Sequence, residues 1–352
     1  MSLIERIGLV ALRQFDPERA HGFAIKALEL GLATTQKPFT SDRLKINIAG
    51  LNLPNPVGLA AGFDKNAQAL SGLAKSAFGF IEVGAATPHP QSGNPKPRLF
   101  RLIQDQAVIN RFGFNNDGME RIAERLSHRP EGMVTGLNLG ANKTSPDRAA
   151  DFANVLTHCA PFVDFVTVNV SSPNTEKLRE LQGKAALFAL LNGVIEARDA
   201  LKKPIPVFLK ISPDLDKAAL EDIVEIALTQ KIDAIIATNT TLERTGLASK
   251  HRSQAGGLSG KPLFEISTRI LAQIAKLLEG QIPLIGVGGV SSAQDVYDKI
   301  CAGASAVQLY TALVYHGMSL PCDISKGLDS LLIQNGYSNI SQAIGSKIYK
   351  WL

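Results

Sequence analysis

Residues 284–311 read LIGVGGVSSAQDVYDKICAGASAVQLYT, which is the pattern of one strand–helix–strand unit. An apolar run, Leu284–Gly289, precedes a segment of helical periodicity, and a second apolar run follows at Ala306–Thr311. Two apolar runs joined through a helix are typical of neighbouring parallel strands. The rest of the chain repeats this alternation upstream to about residue 57.

Six further apolar runs predict strands. They are Val57–Gly62, Phe80–Ala85, Val134–Gly140, Asp164–Ser171, Val207–Ser212 and Ala234–Thr240. The eight predicted strands and their helices occupy about 255 residues. A (β/α)8 barrel has about 250 residues, whereas a doubly wound sheet usually stops near six strands. The sequence therefore predicts an α/β fold of the TIM-barrel class.

Composition limits the classes of function. The chain has 352 residues, of which 45% are hydrophobic and 20% charged, as in ordinary soluble globular proteins. Its net charge of +5 is spread along the chain without a basic block, which argues against a nucleic-acid arm but leaves weak attraction to an anionic surface open. Three scattered cysteines form no disulfide or metal pattern and indicate a reducing compartment. We expect neither a membrane span nor a signal peptide.

The first forty residues predict two short amphipathic helices, with Asp16-Pro17 as the cap and first residue of the second. Two interpretations are open. The helices pack across the bottom of the barrel, or they dock on a membrane through apolar residues, because their charges balance. Between them and the barrel, residues 44–53 (LKINIAGLNL) predict a small hairpin that plugs one barrel end.

Polar residues follow nearly all the predicted strands. A barrel strand is buried on both faces, so a polar residue at its end is paired or faces a ligand. Any one of them is also explained as a helix cap, but a lysine is not a helix N-cap. Together they predict an active site at the carboxyl ends of the strands. These residues are Asp64, Lys65, Asn138, Asn169, Lys210, Thr238, Asn239 and Thr240.

Glycine clusters stand where a barrel often binds phosphate, after its last strands. They are GGLSG at 256–260, GVGG at 286–289 and AGAS at 302–305. Glycine lets backbone N–H groups approach an anion, although tight turns also need it. Their coincidence at this part of the predicted barrel indicates a phosphorylated ligand.

Two polar loops suggest the remaining chemistry. In Asn169–Asn174 (NVSSPN) no His, Asp or Glu adjoins either serine, so the sequence does not support a hydrolase triad. Two interpretations of this loop are open, a serine that relays a proton and a simple Asx/Ser turn. The loop Asn110–Asn116 (NRFGFNN) suits a small, planar, anionic ligand. A site rich in Lys and Asn but poor in metal ligands argues against a catalytic metal and suits an electron-rich cofactor.

The motifs along the chain resemble those of the dihydroorotate dehydrogenase family. The similarity runs from about residue 15 to residue 340, and it includes AAGFDKN (60–66), GNPKPRLFRL (93–102), NRFGFNN, NVSSPNT (169–175), ATNTT (237–241), GGLSG, IGVGG and VQLYT. The helical pair, and a serine where the soluble class carries cysteine, resemble the quinone-dependent, membrane-associated class.

This resemblance implies an FMN-containing barrel that oxidises (S)-dihydroorotate to orotate in pyrimidine synthesis and passes electrons to a membrane quinone. It implies residues 1–40 as a membrane and quinone-docking extension and residues 41–352 as the catalytic domain. We expect a monomer bound peripherally at the cytoplasmic face of the cell membrane.

The resemblance also implies roles for individual residues. Ser172 corresponds to the catalytic base. The expected FMN contacts are Ala61, Gly62, Phe63, Asp64, Lys65, Ala85, Asn138, Asn169, Lys210, Thr238, Gly260, Gly289, Tyr310 and Thr311. The expected substrate contacts are Lys65, Asn110, Arg111, Phe112, Gly113, Phe114, Asn169, Asn174, Asn239 and Thr240. His21 and Arg101 match positions along the family's quinone tunnel. Ala85 departs from relatives that carry a hydroxyl residue there, which leaves only backbone contact to the flavin.

Two rival functions are considered. One is an FMN barrel acting on another substrate, such as a soluble fumarate-using relative or a dihydrouridine synthase. Ser172, the helical extension and the lack of a basic RNA-binding segment argue against it. The other is a non-catalytic barrel that binds a phosphorylated ligand, which a protein without flavin would support.

Overall fold

The structure is a computed structural model that describes residues 3–32, 38–174 and 178–352. It begins with helices α1 (Leu3–Leu12) and α2 (Pro17–Glu29), which confirms the predicted helical pair. The carboxylate of Asp16 caps α2 by accepting hydrogen bonds from two backbone N–H groups, both at 3.1 Å. Residues 1–2 and 33–37 of the predicted extension lie outside the described residues.

A two-stranded hairpin closes the bottom of the barrel. Strands β1 (Ile46–Ile48) and β2 (Leu51–Leu53) pair antiparallel, as predicted. The hairpin packs against three phenylalanines at the amino ends of barrel strands, Phe80, Phe165 and Phe208. The last two rings stack with centroids 4.6 Å apart.

Two glycines make room for these rings. A Cβ atom added to Gly58 would lie 2.3 Å from the Phe80 ring, and one added to Gly136 would lie 2.1 Å from the Phe165 ring. Protein interiors are close-packed, so a ring and a Cβ cannot share this space.

The later strands, in chain order, are β3 (Val57–Leu59), β4 (Phe80–Ala86), β5 (Leu99–Leu102), β6 (Ala107–Asn110), β7 (Val134–Leu139), β8 (Phe165–Asn169), β9 (Val207–Ile211), β10 (Ala234–Ala237), β11 (Gly257–Gly260), β12 (Leu284–Val287) and β13 (Ala304–Leu309). Eight of them close a parallel barrel in the order β10-β12-β13-β3-β4-β7-β8-β9, which confirms the predicted fold class. Seven of the eight end one to three residues before the predicted boundary, because the chain leaves the strand ladder where it reaches the barrel mouth.

Helices surround the barrel and bury its outer face. They are α3 (Leu70–Leu73), α4 (Met119–Ser127), α5 (Arg148–Cys159), α6 (Lys184–Asp199), α7 (Lys217–Thr229), α8 (Phe264–Leu278), α9 (Ala293–Cys301), α10 (Thr311–His316) and α11 (Leu320–Gln334). Their buried leucines, isoleucines and valines form one core with the outward-facing strand residues. Among the described residues, no helix is long and apolar enough to cross a membrane.

A three-stranded antiparallel sheet was not predicted. It has the order β11-β6-β5, and it brings together segments about 150 residues apart in sequence. Its strands contain three predicted site residues, namely Arg101, Asn110 and Gly260. The sheet therefore positions part of the site.

The helical pair lies at the mouth of the barrel and not at its bottom. His21 of α2 contacts the backbone of Phe63, just beyond β3, and Glu18 pairs with Arg98 just before β5. The interpretation in which these helices pack across the bottom is therefore wrong, because the hairpin fills that end.

Candidate active site

One cavity of about 470 Å³ extends from the helical pair to the carboxyl ends of the barrel strands. It is lined both by α1 and α2 and by the barrel mouth. The predicted site residues that line it are His21, Ala61, Gly62, Phe63, Lys65, Ala85, Arg101, Asn110, Phe112, Gly113, Phe114, Asn138, Asn169, Ser172, Asn174, Lys210, Thr238, Asn239, Thr240, Gly260, Gly289, Tyr310 and Thr311. Residues from almost every strand end thus converge on one space.

Two predicted residues turn away from this cavity. The Asp64 carboxylate accepts hydrogen bonds from the backbone N–H groups of Gln68 and Ala69 at 2.9 and 2.7 Å, so it caps the following turn. The Arg111 guanidinium donates to Gln254 Oε1 and to the Pro97 carbonyl at 3.0 and 2.8 Å. Neither side chain lines the cavity.

Lys65 is the cation on the wall formed by the loop after β3. Its Nζ donates to the Gly62 carbonyl at 3.0 Å and lies 4.1 Å from the centre of the Phe112 ring. Burial lowers the pKa of Lys65 to about 8, because the surrounding protein strips water from the ammonium group. Lys65 is therefore charged at neutral pH but close to its titration range.

Three asparagines form a hydrogen-bonded row across the mouth. Asn169 Nδ2 donates to Asn138 Oδ1 at 2.9 Å, and Asn239 Nδ2 donates to Asn169 Oδ1 at 3.2 Å. Asn138 Nδ2 in turn donates to Glu82 Oε1 at 2.6 Å, and Gln308 Nε2 donates to Glu82 Oε2 at 2.6 Å. Sequence reasoning missed Glu82 and Gln308. A carboxylate and an amide inside otherwise apolar barrel strands were the signal available for them.

Lys210 provides a second cation, on β9. It is buried, and among the described residues none accepts a hydrogen bond from its ammonium group. Burial lowers the pKa of Lys210, and the negative charge of Glu82 opposes that shift. The ammonium group remains available to a ligand in the cavity.

Ser172 lies in the loop after β8 and is buried. Its Oγ accepts a hydrogen bond from the backbone N–H of Asn174 at 3.3 Å, and Asn174 Nδ2 donates to Asn110 Oδ1 at 3.1 Å. Asn174 Oδ1 and Thr240 Oγ1 are buried and have no partner within the described residues. Unpaired buried polar atoms are costly, so these two atoms mark places where a polar ligand fits.

The glycine loops line one part of the cavity. Gly260 and Gly289 have φ angles of 98° and 74°, and a Cβ on Gly289 would lie 2.5 Å from Phe264. Thr311 Oγ1 donates to Ser259 Oγ at 2.8 Å beside them. The backbone conformation here requires glycine and leaves main-chain groups open to a close-lying anion.

An aromatic cluster connects this mouth to α2. Phe63 contacts both Tyr310 and His21 edge to face, with ring centroids 5.4 Å apart in each pair. His21 Nε2 lies 2.8 Å from the Phe63 carbonyl and donates to it. Burial, and secondarily the charge of Lys65, lowers the pKa of His21 to about 3. The imidazole is therefore neutral, with Nδ1 as its remaining acceptor.

Arg101 lies at the helical end of the cavity. One guanidinium nitrogen donates to the carbonyl of Phe15, between α1 and α2. Burial lowers the pKa of Arg101, but an arginine remains charged. A cation on β5 thus faces the helical pair beside the apolar part of the cavity.

Known proteins are similar to this chain over most of its length. The dihydroorotate dehydrogenase family model matches residues 43–332. A dihydroorotate dehydrogenase (quinone) from Cereibacter sphaeroides strain KD131 is 59% identical over 353 residues, which covers 100% of both chains. The protein of that name from Agrobacterium fabrum is 46% identical over 99% of this chain and 98% of its own.

Solved structures agree with these relatives. The ligand-free crystal structure of the Eimeria tenella dihydroorotate dehydrogenase superimposes with a TM-score of 0.90 at 37% identity. It covers 94% of this chain and 99% of its own. The chain belongs to the dihydroorotate dehydrogenase family, in its quinone-dependent class of flavin-dependent oxidoreductases that oxidise dihydroorotate in pyrimidine biosynthesis.

Proposed function

We propose that this chain binds FMN in the barrel mouth, oxidises (S)-dihydroorotate to orotate, and passes the electrons to a quinone that approaches between α1 and α2 from a membrane. The single observation that carries the proposal is the continuous cavity. It connects a polar, lysine- and asparagine-rich end with an apolar end between the helices, so a polar and an apolar reactant both have access to one redox centre.

The residues present fit FMN. Gln308 Oε1 is buried in the barrel wall without a partner among the described residues, and the buried Lys210 side chain lines the cavity. These groups provide an acceptor and a cation for a polar ring edge. The side chains and backbone proposed to hold FMN are those of Ala61, Gly62, Phe63, Lys65, Ala85, Asn138, Asn169, Lys210 and Thr238, with Gly260, Gly289, Tyr310 and Thr311 around its phosphate. Asp64 contributes through the turn that its carboxylate caps.

Bound FMN supplies the hydride acceptor. The substrate carboxylate and ring edges are proposed to bind Lys65, Asn110, Phe112, Gly113, Phe114, Asn169, Asn174, Asn239 and Thr240. The Arg111 guanidinium is engaged elsewhere, so we omit its side chain from this set. Ser172 Oγ is proposed to relay the C5 proton, taking it up as its own hydroxyl proton passes to water, while the C6 hydride is the one that FMN would accept. The Lys65 charge and nearby amide groups stabilise the negative charge that develops.

The membrane proposal rests on where apolar surface is exposed. Of the thirteen exposed large hydrophobic residues in the part of the chain that the structure describes, seven lie within the first 32 positions, at Leu3, Ile7, Val10, Phe15, Phe23, Leu30 and Leu32. Clustered exposed apolar surface is typical of a docking site, whereas single exposed residues are ordinary. We therefore propose residues 1–40 as a docking extension and residues 41–352 as the catalytic domain, in a monomer bound peripherally at the cytoplasmic face of the cell membrane.

The test is anaerobic mixing of the purified protein with dihydroorotate. We expect the flavin absorbance to bleach and then to recover with a quinone but not with fumarate. Ser172→Ala should retain FMN yet bleach at least about 100-fold more slowly. Thr157→Ala, which changes an exposed hydroxyl on α5, is the control and should bleach at the normal rate. Recovery with fumarate, or full-rate bleaching of Ser172→Ala at neutral pH, contradicts the proposal.

A further inference from the structure

Glu82 is a buried carboxylate inside the barrel. Its side chain is completely inaccessible, and its two oxygens each lie 2.6 Å from a side-chain amide nitrogen, of Asn138 on one side and Gln308 on the other. These residues come from β4, β7 and β13. A protonated carboxyl needs an acceptor for its O–H, but both oxygens here face N–H donors. The geometry is therefore that of an anion.

An anion in this place sets the direction of the first hydrogen bonds in the row. A carboxylate only accepts, so Asn138 must turn its Nδ2 toward Glu82 and present its Oδ1 to the next residue. That Oδ1 accepts from Asn169 Nδ2 at 2.9 Å. Asn169 Oδ1 is then the acceptor for Asn239 Nδ2 at 3.2 Å and for the Ser171 hydroxyl at 3.0 Å. The backbone N–H of Ser171 also donates to Asn169 Oδ1, at 3.3 Å, so Asn169 is held from both sides.

The last member of the row lies beside the substrate loop. Asn239 Nδ2 donates to both Asn169 Oδ1 and Ser171 Oγ, and Asn239 Oδ1 accepts from the backbone N–H of Thr240 at 2.7 Å. The orientation leaves Asn169 with one free N–H donor and leaves Asn239 with an open lone pair on Oδ1. Reversing the amides would exchange these donors and acceptors.

We propose that Glu82 is a positioning residue that fixes the orientation of Asn138. Asn138 Oδ1 and the backbone N–H of Ser171 then hold Asn169 from two sides, so that the substrate meets a fixed pattern of donors and acceptors. Glu82 acts through these amides and does not line the cavity itself. The inference rests on the proposed site, because the amides must face the substrate for their orientation to affect binding.

The substitution Glu82→Gln tests whether Glu82 sets the direction of these hydrogen bonds, because the side chain keeps nearly the same shape. The introduced amide has one oxygen and one nitrogen, so its nitrogen faces a donor whichever way it is turned. Gln308 Oε1 is the acceptor proposed for FMN, so in the FMN-loaded protein Gln308 is held and Asn138 must rotate or lose its bond. We expect orotate to bind at least about tenfold more weakly, measured by its perturbation of the flavin spectrum. FMN content should stay near that of the wild type.

A double variant distinguishes a change in hydrogen-bond direction along the asparagine row from a loss of protein stability. In Glu82→Gln/Gln308→Glu, the introduced amide donates to the new carboxylate and keeps its oxygen for Asn138, so the original direction of the row returns. The other oxygen of that carboxylate replaces Gln308 Oε1 as the acceptor proposed for FMN, and FMN content is measured before orotate affinity. We expect orotate affinity to recover to within about threefold of the wild type. A merely structural role for Glu82 predicts no such recovery, because two buried substitutions then damage packing more than one.

The outcomes are distinct. Weakened orotate binding in Glu82→Gln with recovery in the double variant supports the inference. Unchanged orotate affinity in Glu82→Gln overturns it, as does a double variant no better than the single one. If Glu82→Gln does not fold, a folded double variant with near-normal affinity supports the inference, and weak binding by that variant overturns it. Failure of dihydroorotate to bleach the wild-type flavin would instead contradict the proposed function.

Discussion

Arg98 and Glu18 form a forked ion pair that joins helix α2 to the loop before β5. Arg98 Nη2 lies 2.8 Å from Glu18 Oε1, and Arg98 Nε lies 3.2 Å from Oε2. The other guanidinium nitrogen donates to the carbonyls of Ser92 and Asn94 at 2.6 and 2.9 Å. The Phe112 ring lies 5.5 Å from the same guanidinium. One buried cation thus connects the helical pair with the proposed substrate loop.

Glu18→Gln is expected to destabilise the protein by about 1–3 kcal/mol, because Arg98 is then buried without a carboxylate partner. The KM for dihydroorotate should rise several-fold, because the guanidinium also orders the loop that bears Phe112. Urea unfolding and steady-state kinetics measure the two effects. Glu29→Gln on the same helix breaks the exposed pair with Lys26 and should change stability by less than about 0.5 kcal/mol. Equal effects of the two substitutions would contradict the coupling.

Lys65 predicts an alkaline limit on activity. Burial lowers its pKa to about 8, so the ammonium charge is present below that pH and is lost as the pH rises through it. The kcat/KM for dihydroorotate should therefore fall above about pH 8, and the fall in kcat should come at higher pH because the bound carboxylate stabilises the ammonium. Steady-state kinetics across pH 6 to pH 10 measure both.

The substitution Lys65→Arg tests whether Lys65, and no other titrating group, causes the alkaline fall in activity. An arginine stays charged over the whole range, so the alkaline fall should vanish even if the overall rate drops. Persistence of the same fall in Lys65→Arg would assign it to another residue.

His21→Phe is expected to slow flavin reoxidation by quinone at least several-fold and to leave bleaching by dihydroorotate unchanged. Phenylalanine preserves ring packing on Phe63 and Tyr310 but removes the Nδ1 acceptor and the bond to the Phe63 carbonyl. Stopped-flow absorbance resolves the two half-reactions. His128→Phe, at an exposed helix end, is the control. Equal slowing of both half-reactions would place His21 outside a quinone-specific role.

The exposed apolar surface of the extension predicts membrane binding. Ile7→Glu/Phe23→Glu puts two charges on the helical pair and should abolish co-sedimentation with liposomes, because a charge in a bilayer is costly. Activity with a water-soluble quinone analogue should stay within about threefold of normal. Ile333→Glu, at the far end of α11, should bind liposomes normally. Normal sedimentation of the double variant would exclude docking through this surface.

The barrel was predictable because each strand–helix unit repeats a local pattern that depends on nearby residues alone. Strands β5, β6 and β11 were missed because they are four residues long and because β11 pairs with β6 across about 150 residues of sequence. The position of α2 at the mouth depends on the pairing of Glu18 with Arg98, which no local pattern encodes.

Motifs located the site but did not orient its side chains. Asp64 and Arg111 belong to the motifs that identified the mouth, yet both side chains turn toward backbone partners elsewhere. Glu82 and Gln308 lie within strands that otherwise read as apolar, so only the closed barrel shows that they meet.

The phenylalanine floor of the barrel has a consequence for how this protein can change over generations. Gly58 and Phe80 occupy one volume between them, as do Gly136 and Phe165, so neither member of a pair accepts a larger neighbour on its own. The two residues of each pair therefore constrain each other during evolution. The phenylalanine must first be replaced by a smaller residue before the glycine can be replaced by a residue with a side chain. At the opposite end of the barrel, a Cβ added to Gly289 would meet the backbone of Phe264, so shrinking a side chain opens no such two-step route there.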